Sequence, residues 1–567
     1  MSVAADEEAA RAPVGDVAAS PLYAAAPAAS PRLRVGLLFA AGGLPPAAAV
    51  LLRALATCEA ATIACLAAYV APDPGSQKRG RALALHERFE RRLATRHLTA
   101  GRRQHANAIA DPKAHFPDAK ELTCRAAPAD GTGWAITPEA AGELRDLKLD
   151  VILALGRSDW SGEVLGLAGH GLWHYRWNGQ GAENLDNALF AALRTGQTLI
   201  LCQLARQQEG RIQAIAQMDV ASNPRSLSDS RDRIYDGAAF LAPRALRALR
   251  QGLPLALDET VTASKPLSTP TIPAIAALIV REAARRFRFR WQHRGGEWWF
   301  LAMRKRSGTA DSMAGFRPLP AAAGHYYADP FLIEEEGKTH LFFEDFDQQR
   351  RRGHISHAVL ADDGTPGPAS VALERPYHLS YPFIFRWQDQ IWMMPETGQN
   401  RAVELYRCEE FPWRWSFHRN LLQGWRAVDA TLHADETGRW WMFVMISEDP
   451  RGAGVLFLFM ADSPLGPWQP HPGNPVQSDI RHARPGGRLF RHQGKLLRPA
   501  QDCSRHYGGA LWLMEVTALT PQAYGEIPFR RLDPLDLPGN LCLHHRDATQ
   551  HVEFVDGMRL RLPQGAR

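Results

Sequence analysis

Four residues in the second half of the chain, Asp329, Tyr381, Asp429 and Arg484, open stretches of similar design: a polar residue, Pro or Ala, further positions that are mostly apolar, a turn, and then a second strand. They are spaced 381−329 = 52, 429−381 = 48 and 484−429 = 55 residues apart. Further along the same stretches stand Glu344 with Asp345, Glu396, and Arg498 with Gln501. Two or three carboxylates among arginines and aromatic rings suit sugars. Carboxylates accept hydrogen bonds from hydroxyls, or act as acid and base on a glycosidic bond, and an inverting hydrolase needs its two carboxyls about 6.5–9.5 Å apart. Each residue also has a plainer reading. An Asp before Pro or Ala at a strand start is often a turn cap. Arginines such as Arg484 and Arg498 also tie strands together, His544 and His545 suit solvent-facing strand positions, and most tryptophans suit a packed core.

The elements that must carry these residues are strands. A period near 50 with several short strands per unit predicts propeller blades. The fourth unit, Arg484-Pro-Gly-Gly-Arg-Leu-Phe490, fits loosely, and a further step lands near Asn540–Arg546, followed by strand-like Val552–Val555, an Asp556-Gly557 turn and Met558–Leu562. Five units fit residues 291–567. The strand Glu297–Met303 has no unit of its own and is expected to close the ring by pairing with the last blade, which removes exposed edges. Leading residues of inner strands converge on one channel mouth, so the repeat aims Asp329, Tyr381, Asp429 and Arg484 at one pocket.

The first half differs. Twelve of the sixteen tryptophans lie from Trp291 onward, and before that point Ala and Leu dominate with helical periodicity. Apolar strands are expected at Arg34–Phe39, Asp150–Gly156 and Thr198–Cys202, with helices between them, as a parallel sheet covered on both faces. The expected organisation is a disordered tail over 1–31, an α/β domain over 32–259, a linker and helix over 260–290, and the propeller. Residues 272–290 run from apolar to basic. A connecting helix packed on the sheet is the favoured reading, and a membrane-surface helix is the other.

Bulk properties exclude several classes. A net charge of +6 with scattered arginines argues against nucleic-acid binding. Seven widely spaced cysteines without a Cys-x-x-Cys pair argue against a disulfide framework or a zinc site, so no metal is expected. No apolar run reaches the roughly 18–20 residues of a membrane span. The first residues lack a basic region followed by an apolar core, so no secretory signal is expected and the cytoplasm is the default. The sequence leaves the cofactor open, including whether the first half binds one.

The stretches Ala328-Asp-Pro-Phe-Leu332, Leu341-Phe-Phe-Glu-Asp345, Tyr381-Pro-Phe383, Met394-Pro-Glu-Thr397, Val428-Asp-Ala-Thr431 and Arg498-Pro-Ala-Gln-Asp-Cys503 resemble the N-terminal domain of plant glucosamine inositolphosphorylceramide transferases. The blade pattern also looks like five-bladed glycosidases of the arabinanase and xylosidase type. That resemblance implies Asp329 as general base, Asp429 as a tuning residue and Glu396 as acid; the repeat itself offers Tyr381, Arg484, Arg498, Gln501 and Glu344 as substrate contacts. The transferase domain that follows the plant propeller is not expected here, so transferase activity does not carry over.

The first half resembles the formyltransferase fold through Leu149–Gly156, Gly171–Gly179 and Ala191–Leu199. That family places a catalytic Asn three residues after a Gly and a His five after it; this chain has His174 and Arg176. The family's Asp has no counterpart, since Glu209 is the only acid between Asp186 and Asp219. Arginine cannot take a proton at neutral pH, so this domain is expected to be catalytically degenerate. The expected function is a carbohydrate-active or carbohydrate-binding protein of surface polysaccharide or glycolipid synthesis, binding a sugar or sugar phosphate. A propeller glycosidase with acid and base carboxylates, and a formyltransferase-like enzyme or a scaffold without chemistry, are the alternatives.

Overall fold

The structure is a computed structural model. It describes residues 19–24, 31–44, 48–70, 86, 89, 111–129, 133–208, 210–223, 226–253, 255, 267, 270–292, 297–306, 313–447, 454–534 and 540–560. The chain forms two compact units, one of Ala25–Arg286 with Met1–Ala4, the other of Phe287–Arg567 with Ala5–Ala24.

The second unit is a five-bladed β-propeller. Blade one is built from His325–Glu335, Lys338–Asp347, Arg352–Val359 and Ser370–Leu373, in that order outward. Blade two follows with Ser380–Trp387, Gln390–Thr397, Ala402–Glu410 and Arg414–Gln423, and blade three with Ala427–Ala434, Trp440–Ile446, Val455–Ala461 and Gln469–Pro470. In blade four the inner strand is broken into Arg484–Pro485 and Phe490–His492 before Lys495–Asp502, Ala510–Leu519 and Tyr524–Leu532. Blade five joins both ends of this half. Arg546–Ala548 and Val552–Leu560 form its inner strands, and Glu297–Lys305 pairs antiparallel with the latter from Glu297↔Leu560 to Lys305↔Val552. The expected Asp556-Gly557 turn does not form: a single strand runs through it. Gly557 serves a close approach instead, since a Cβ there would lie 2.5 Å from Asn540 Oδ1 and 2.7 Å from the Phe300 ring.

Each of the first three inner strands bulges at its leading residue. Between Ala328 and Phe331 three steps oppose two on the neighbouring strand, and the same shift recurs at Ser380/Phe383 and Val428/Thr431. Asp329, Tyr381 and Asp429 take positive φ values of 52°, 45° and 52°. A non-glycine residue in that region costs about 1–2 kcal/mol, so three in phase mark a repeated requirement to re-aim the side chain. In blade four the break falls at Gly487, where a Cβ would stand 2.0 Å from the Arg546 carbonyl oxygen.

The channel axis is filled. The Phe331, Tyr381, Phe383 and His545 rings pack there, with Phe331 4.9 Å from Tyr381 and 4.5 Å from His545. Arg488 crosses from blade four to donate to the Ile384 carbonyl at 2.8 Å, lies 4.7 Å from the Phe383 ring and pairs with Asp547 at 3.4 Å.

Residues 19–24 also belong to the propeller. Ser20 and Gln423 exchange hydrogen bonds of 2.9 and 3.0 Å, Trp425 Nε1 donates to the Ser20 carbonyl, and Asn474 Nδ2 donates to the Leu22 carbonyl at 3.0 Å. Leu22 and Tyr23 are fully buried, the latter edge-on to Phe457. This corrects the expected disordered tail at those positions; the Ala-rich composition concealed two apolar anchors. The rest of 1–30 lies outside the described residues, as does most of the expected 260–270 linker.

The first unit holds a mixed sheet in the order Gly133–Ile136, Lys120–Ala129, Ala61–Val70, Leu33–Ala40, Val151–Leu155, Leu172–Trp177, Leu199–Gln208, Arg211–Ala221. The strands from Lys120–Ala129 to Leu172–Trp177 are parallel, but Leu199–Gln208 runs antiparallel to Leu172–Trp177, so the expected all-parallel sheet is corrected. The cause is local. Asn178 and Gly179 take φ of 47° and 77° and fold Gln180–Gly181 back on Arg176–Trp177, reversing the chain before the helix Leu185–Thr195. Among the described residues, no helix is long and apolar enough to cross a membrane.

Tyr23→Ala removes a fully buried ring and is expected to destabilise the propeller by about 3 kcal/mol, read as a lower guanidinium midpoint of tryptophan fluorescence. Deletion of residues 19–24 should cost more, and an unchanged midpoint would show that the segment adds nothing.

Candidate functional site

The bulges turn the leading residues toward one end of the channel. Asp329, Asp429 and Arg484 stand at the starts of inner strands one, three and four, and His544 precedes that of blade five. At the matching register of the second strands stand Glu344 opposite Ala328, Glu396 opposite Ser380 and Gln501 opposite Arg484, while blade three has Met445 opposite Val428. Asp556 of blade five donates its backbone N–H to His545 at 3.3 Å, which places it in the same layer.

Two ion pairs organise the group. Arg484 Nε donates to Asp429 Oδ2 at 2.5 Å and its Nη2 lies 3.7 Å from Glu396 Oε2, while Gln501 Nε2 donates to the same Asp429 oxygen at 2.8 Å. Asp556 accepts from the backbone N–H groups of Asp329, His544 and His545 at 3.1, 3.1 and 2.9 Å, and its Oδ2 lies 2.6 Å from His544 Nδ1. His544 Nε2 is 3.8 Å from Asp329 Oδ1, and Asp329 Oδ2 accepts from the Tyr381 N–H at 3.2 Å.

Burial without enough cations sets the protonation. Burial works against the Arg484 guanidinium, but Asp429 foremost holds its pKa well above the ordinary value. For His544, burial opposes the charge, while Asp556 and then Asp329 raise its pKa. Asp556 would be raised by burial, but His544 brings it below the ordinary value. The remaining acids go the other way. Burial raises Asp329 to about 7 against the pull of His544. It lifts Glu344 well above the carboxylate range, with Asp329 adding to it, and does the same to Glu396, with Asp429 adding. The site therefore presents two ion pairs, two carboxyl groups, Glu344 and Glu396, that favour the protonated, donating form near neutral pH, and Asp329, which changes charge there.

Trp299 stacks on His544 at 4.2 Å, and Tyr507 lies edge-on to both rings and 4.8 Å from the Arg484 guanidinium. The loop over 502–509 has two roles: it carries Tyr507, and Asp502, Ser504, Arg505, His506 and Gly509 line, with Arg531 and Asp533, a separate cavity of about 170 Å³. His378, entering blade two, reaches Glu344 at 3.6 Å. Oxygen and nitrogen atoms of Asp329, His544 and Asp556 lie within 4.8 Å of one another, the one grouping of metal-ligand type among the described residues. A protonated His544 already supplies positive charge to both carboxyls.

Of the sequence candidates, Asp329, Asp429, Glu396, Arg484, Gln501 and Glu344 come together. Tyr381 does not present its hydroxyl at the mouth. It is fully buried along the axis, with the hydroxyl 2.7 Å from Thr431 Oγ1 and accepting from the Gly487 N–H at 2.9 Å. Arg498 is elsewhere: its guanidinium makes two 2.8 Å hydrogen bonds to Glu526 inside blade four, because its strand position faces the next strand and not the axis. His544 and His545 are buried, not solvent-facing. Asp556, Trp299, Tyr507 and His378 were missed, and the in-phase register of Asp556 with Glu344 and Glu396 was the available signal. In the first unit His174 is fully buried, with neither ring nitrogen partnered among the described residues, and burial lowers it to about 4. Arg176 donates to the Gly179 carbonyl.

Residues 318–533 match the family model described as glucosamine inositolphosphorylceramide transferase 1, N-terminal. The chain is 36% identical over 212 residues to glucosamine inositolphosphorylceramide transferase 1 of Oryza sativa subsp. japonica, covering 36% of this chain and 28% of the relative. It is 35% identical over 211 residues to that of Arabidopsis thaliana, covering 36% and 27%. The chain thus spans little more than a quarter of the length of these curated relatives. Among solved structures it is similar to a family 117 glycoside hydrolase of Zobellia galactanivorans (14% identity, TM-score 0.32, 46% of this chain and 92% of that one). It is also similar to an α-L-arabinanase of Cellvibrio cellulosa complexed with arabinohexaose (12%, 0.31, 43% and 93%). At these TM-scores neither likeness bears on function.

Arg484→Ala leaves Asp429 and Glu396 buried without their cation and is expected to cost about 3–5 kcal/mol in urea unfolding; a loss under 1 kcal/mol would show that the pair is not the organising one. Asp329 is protonated in the fold up to a pKa of about 7 but ionises near 4 when unfolded. Stability from its protonated form is therefore full below the unfolded value and lost as pH rises through the folded one. Asp329→Asn should gain stability relative to wild type between pH 4 and 8, and parallel melting-temperature profiles would refute the assignment.

Proposed function

We propose that the propeller mouth is a carbohydrate site and that the protein acts on or recognises a sugar or sugar phosphate in glycolipid or surface-polysaccharide synthesis. The observation that carries this reading is the mixed protonation of the mouth. Arg484 is fixed between Asp429 and Glu396, and in the same group Glu344 and Glu396 favour the donating form while Asp329 changes charge near neutral pH. Such a surface donates to phosphate or sugar oxygens and accepts from hydroxyls, with Trp299 and Tyr507 as flat walls. The match of residues 318–533 to proteins named for a sugar transfer to a glycolipid supports the same class. For the α/β unit we favour a structural or ligand-binding role without formyl transfer, since a sealed His174 of low pKa offers no accessible base.

A glycosidase is the second reading, favoured by one observation: Glu396 is held protonated beside Asp429, as a general acid must be. Against it, Arg484 and Gln501 both occupy the same Asp429 oxygen.

Calorimetric titration of the full chain with glycans, sugar phosphates and nucleotide sugars should find a ligand whose affinity falls at least about tenfold in Asp329→Asn. Absence of binding across the panel, or equal affinity in the variant, would remove the carbohydrate reading. Aryl-glycoside hydrolysis abolished by Glu396→Gln would move the assignment to the second reading.

A further inference from the structure

The helix Ile272–Gln292 has one face packed and one bare. Ile275, Leu278 and Glu282 are buried, and Glu282 Oε2 lies 3.1 Å from His86 Nε2. On the opposite side Ile272, Pro273, Ala276, Ala277, Val280, Ala283, Ala284 and Phe287 are all exposed. Ile272 is 54% exposed, Val280 67% and Phe287 68%. At 100° per residue, Ile272, Ala283, Ala276, Phe287 and Val280 fall within an arc of about 80°. Pro273, Ala284 and Ala277 continue the strip on one side to the exposed Arg288 and Arg281, of which Arg281 also donates to the Arg194 carbonyl at 2.9 Å. The helix contains five arginines, and its one acid is the buried Glu282. Ordinary surface helices turn their apolar side inward; this one shows a second apolar strip outward, with exposed arginines along one side of it.

We propose that this helix is a membrane-surface element that lies in the plane of an anionic bilayer, with Val280 and Phe287 inserted at the headgroup level and Arg288 on a lipid phosphate. The pattern is that of an interfacial helix, an apolar strip with basic flanks and no acid on the exposed side. Each arginine adds attraction to an anionic leaflet. The rival occupant, a second copy of the chain, fits the charge poorly, because a two-fold contact brings the same arginine-edged strip against itself. With five arginines the helix does not meet the requirements of a membrane span. The proposal is independent of what the propeller mouth binds.

The full chain is tested by flotation with phosphatidylcholine vesicles and with vesicles to which phosphatidylglycerol is added as a major component. The expected result is flotation only with the anionic vesicles, reversed by high salt. It should fall at least about tenfold in Val280→Asp and in Arg288→Glu, with melting temperatures near wild type because these positions are exposed. Phe287→Ser is the milder control and should weaken flotation in the same direction. No flotation with anionic vesicles at low salt, or flotation unaffected by Val280→Asp and Phe287→Ser, would overturn the proposal. So would a wild-type dimer in analytical ultracentrifugation that Val280→Asp dissociates.

Discussion

Five carboxyl groups, from Asp329, Glu344, Glu396, Asp429 and Asp556, meet near one end of the propeller with Arg484 and His544 as the cations bound among them. Isolated buried charges are too costly to keep. The group resolves this by pairing Asp429 with Arg484 and Asp556 with His544 and pushing the others toward neutrality. The bulged inner strands, the turned backbone of Asp329 and Asp429 and the hydrogen bonds to Asp556 all hold this arrangement. The charge of the group is thus largely balanced within itself, so the mouth does not present a full set of carboxylates.

The rest of the ring keeps that group dry and fixed. Phe331, Tyr381, Phe383 and His545 fill the axis, and Arg488 ties blade four to blades two and five through Ile384 and Asp547. Tyr381 shows how position and role separate. Its backbone shares the bulge of the two leading aspartates, yet its long side chain reaches Thr431 and Gly487 and becomes a pin of the channel. A short acid at the same place stops at the mouth.

The period and the leading residues were legible because blade repeats impose a fixed spacing, and that spacing located Asp329, Asp429, Glu396, Arg484, Gln501 and Glu344 together. Arg498 was misplaced because spacing gives the strand but not the side: it faces Glu526. Asp556 was hidden by a local signal, since Asp-Gly reads as a turn, whereas the approach of Asn540 and Phe300 is what demands Gly557. In the first unit the strands were visible and their direction was not, because the reversal at Asn178-Gly179 is a two-residue event inside a long connection. Leu22 and Tyr23 were concealed by the alanines around them.

The strap of residues 19–24 places the α/β unit inside the sequence of the propeller, not ahead of it. During synthesis the first piece of the propeller emerges before any blade exists to receive it, and Glu297–Lys305 must wait for Val552–Leu560 before the ring can close. The α/β unit can therefore fold as a finished body while its host is still an open set of strands. The ring therefore stays open, with its edge strand Glu297–Lys305 uncovered, until Val552–Leu560 has emerged.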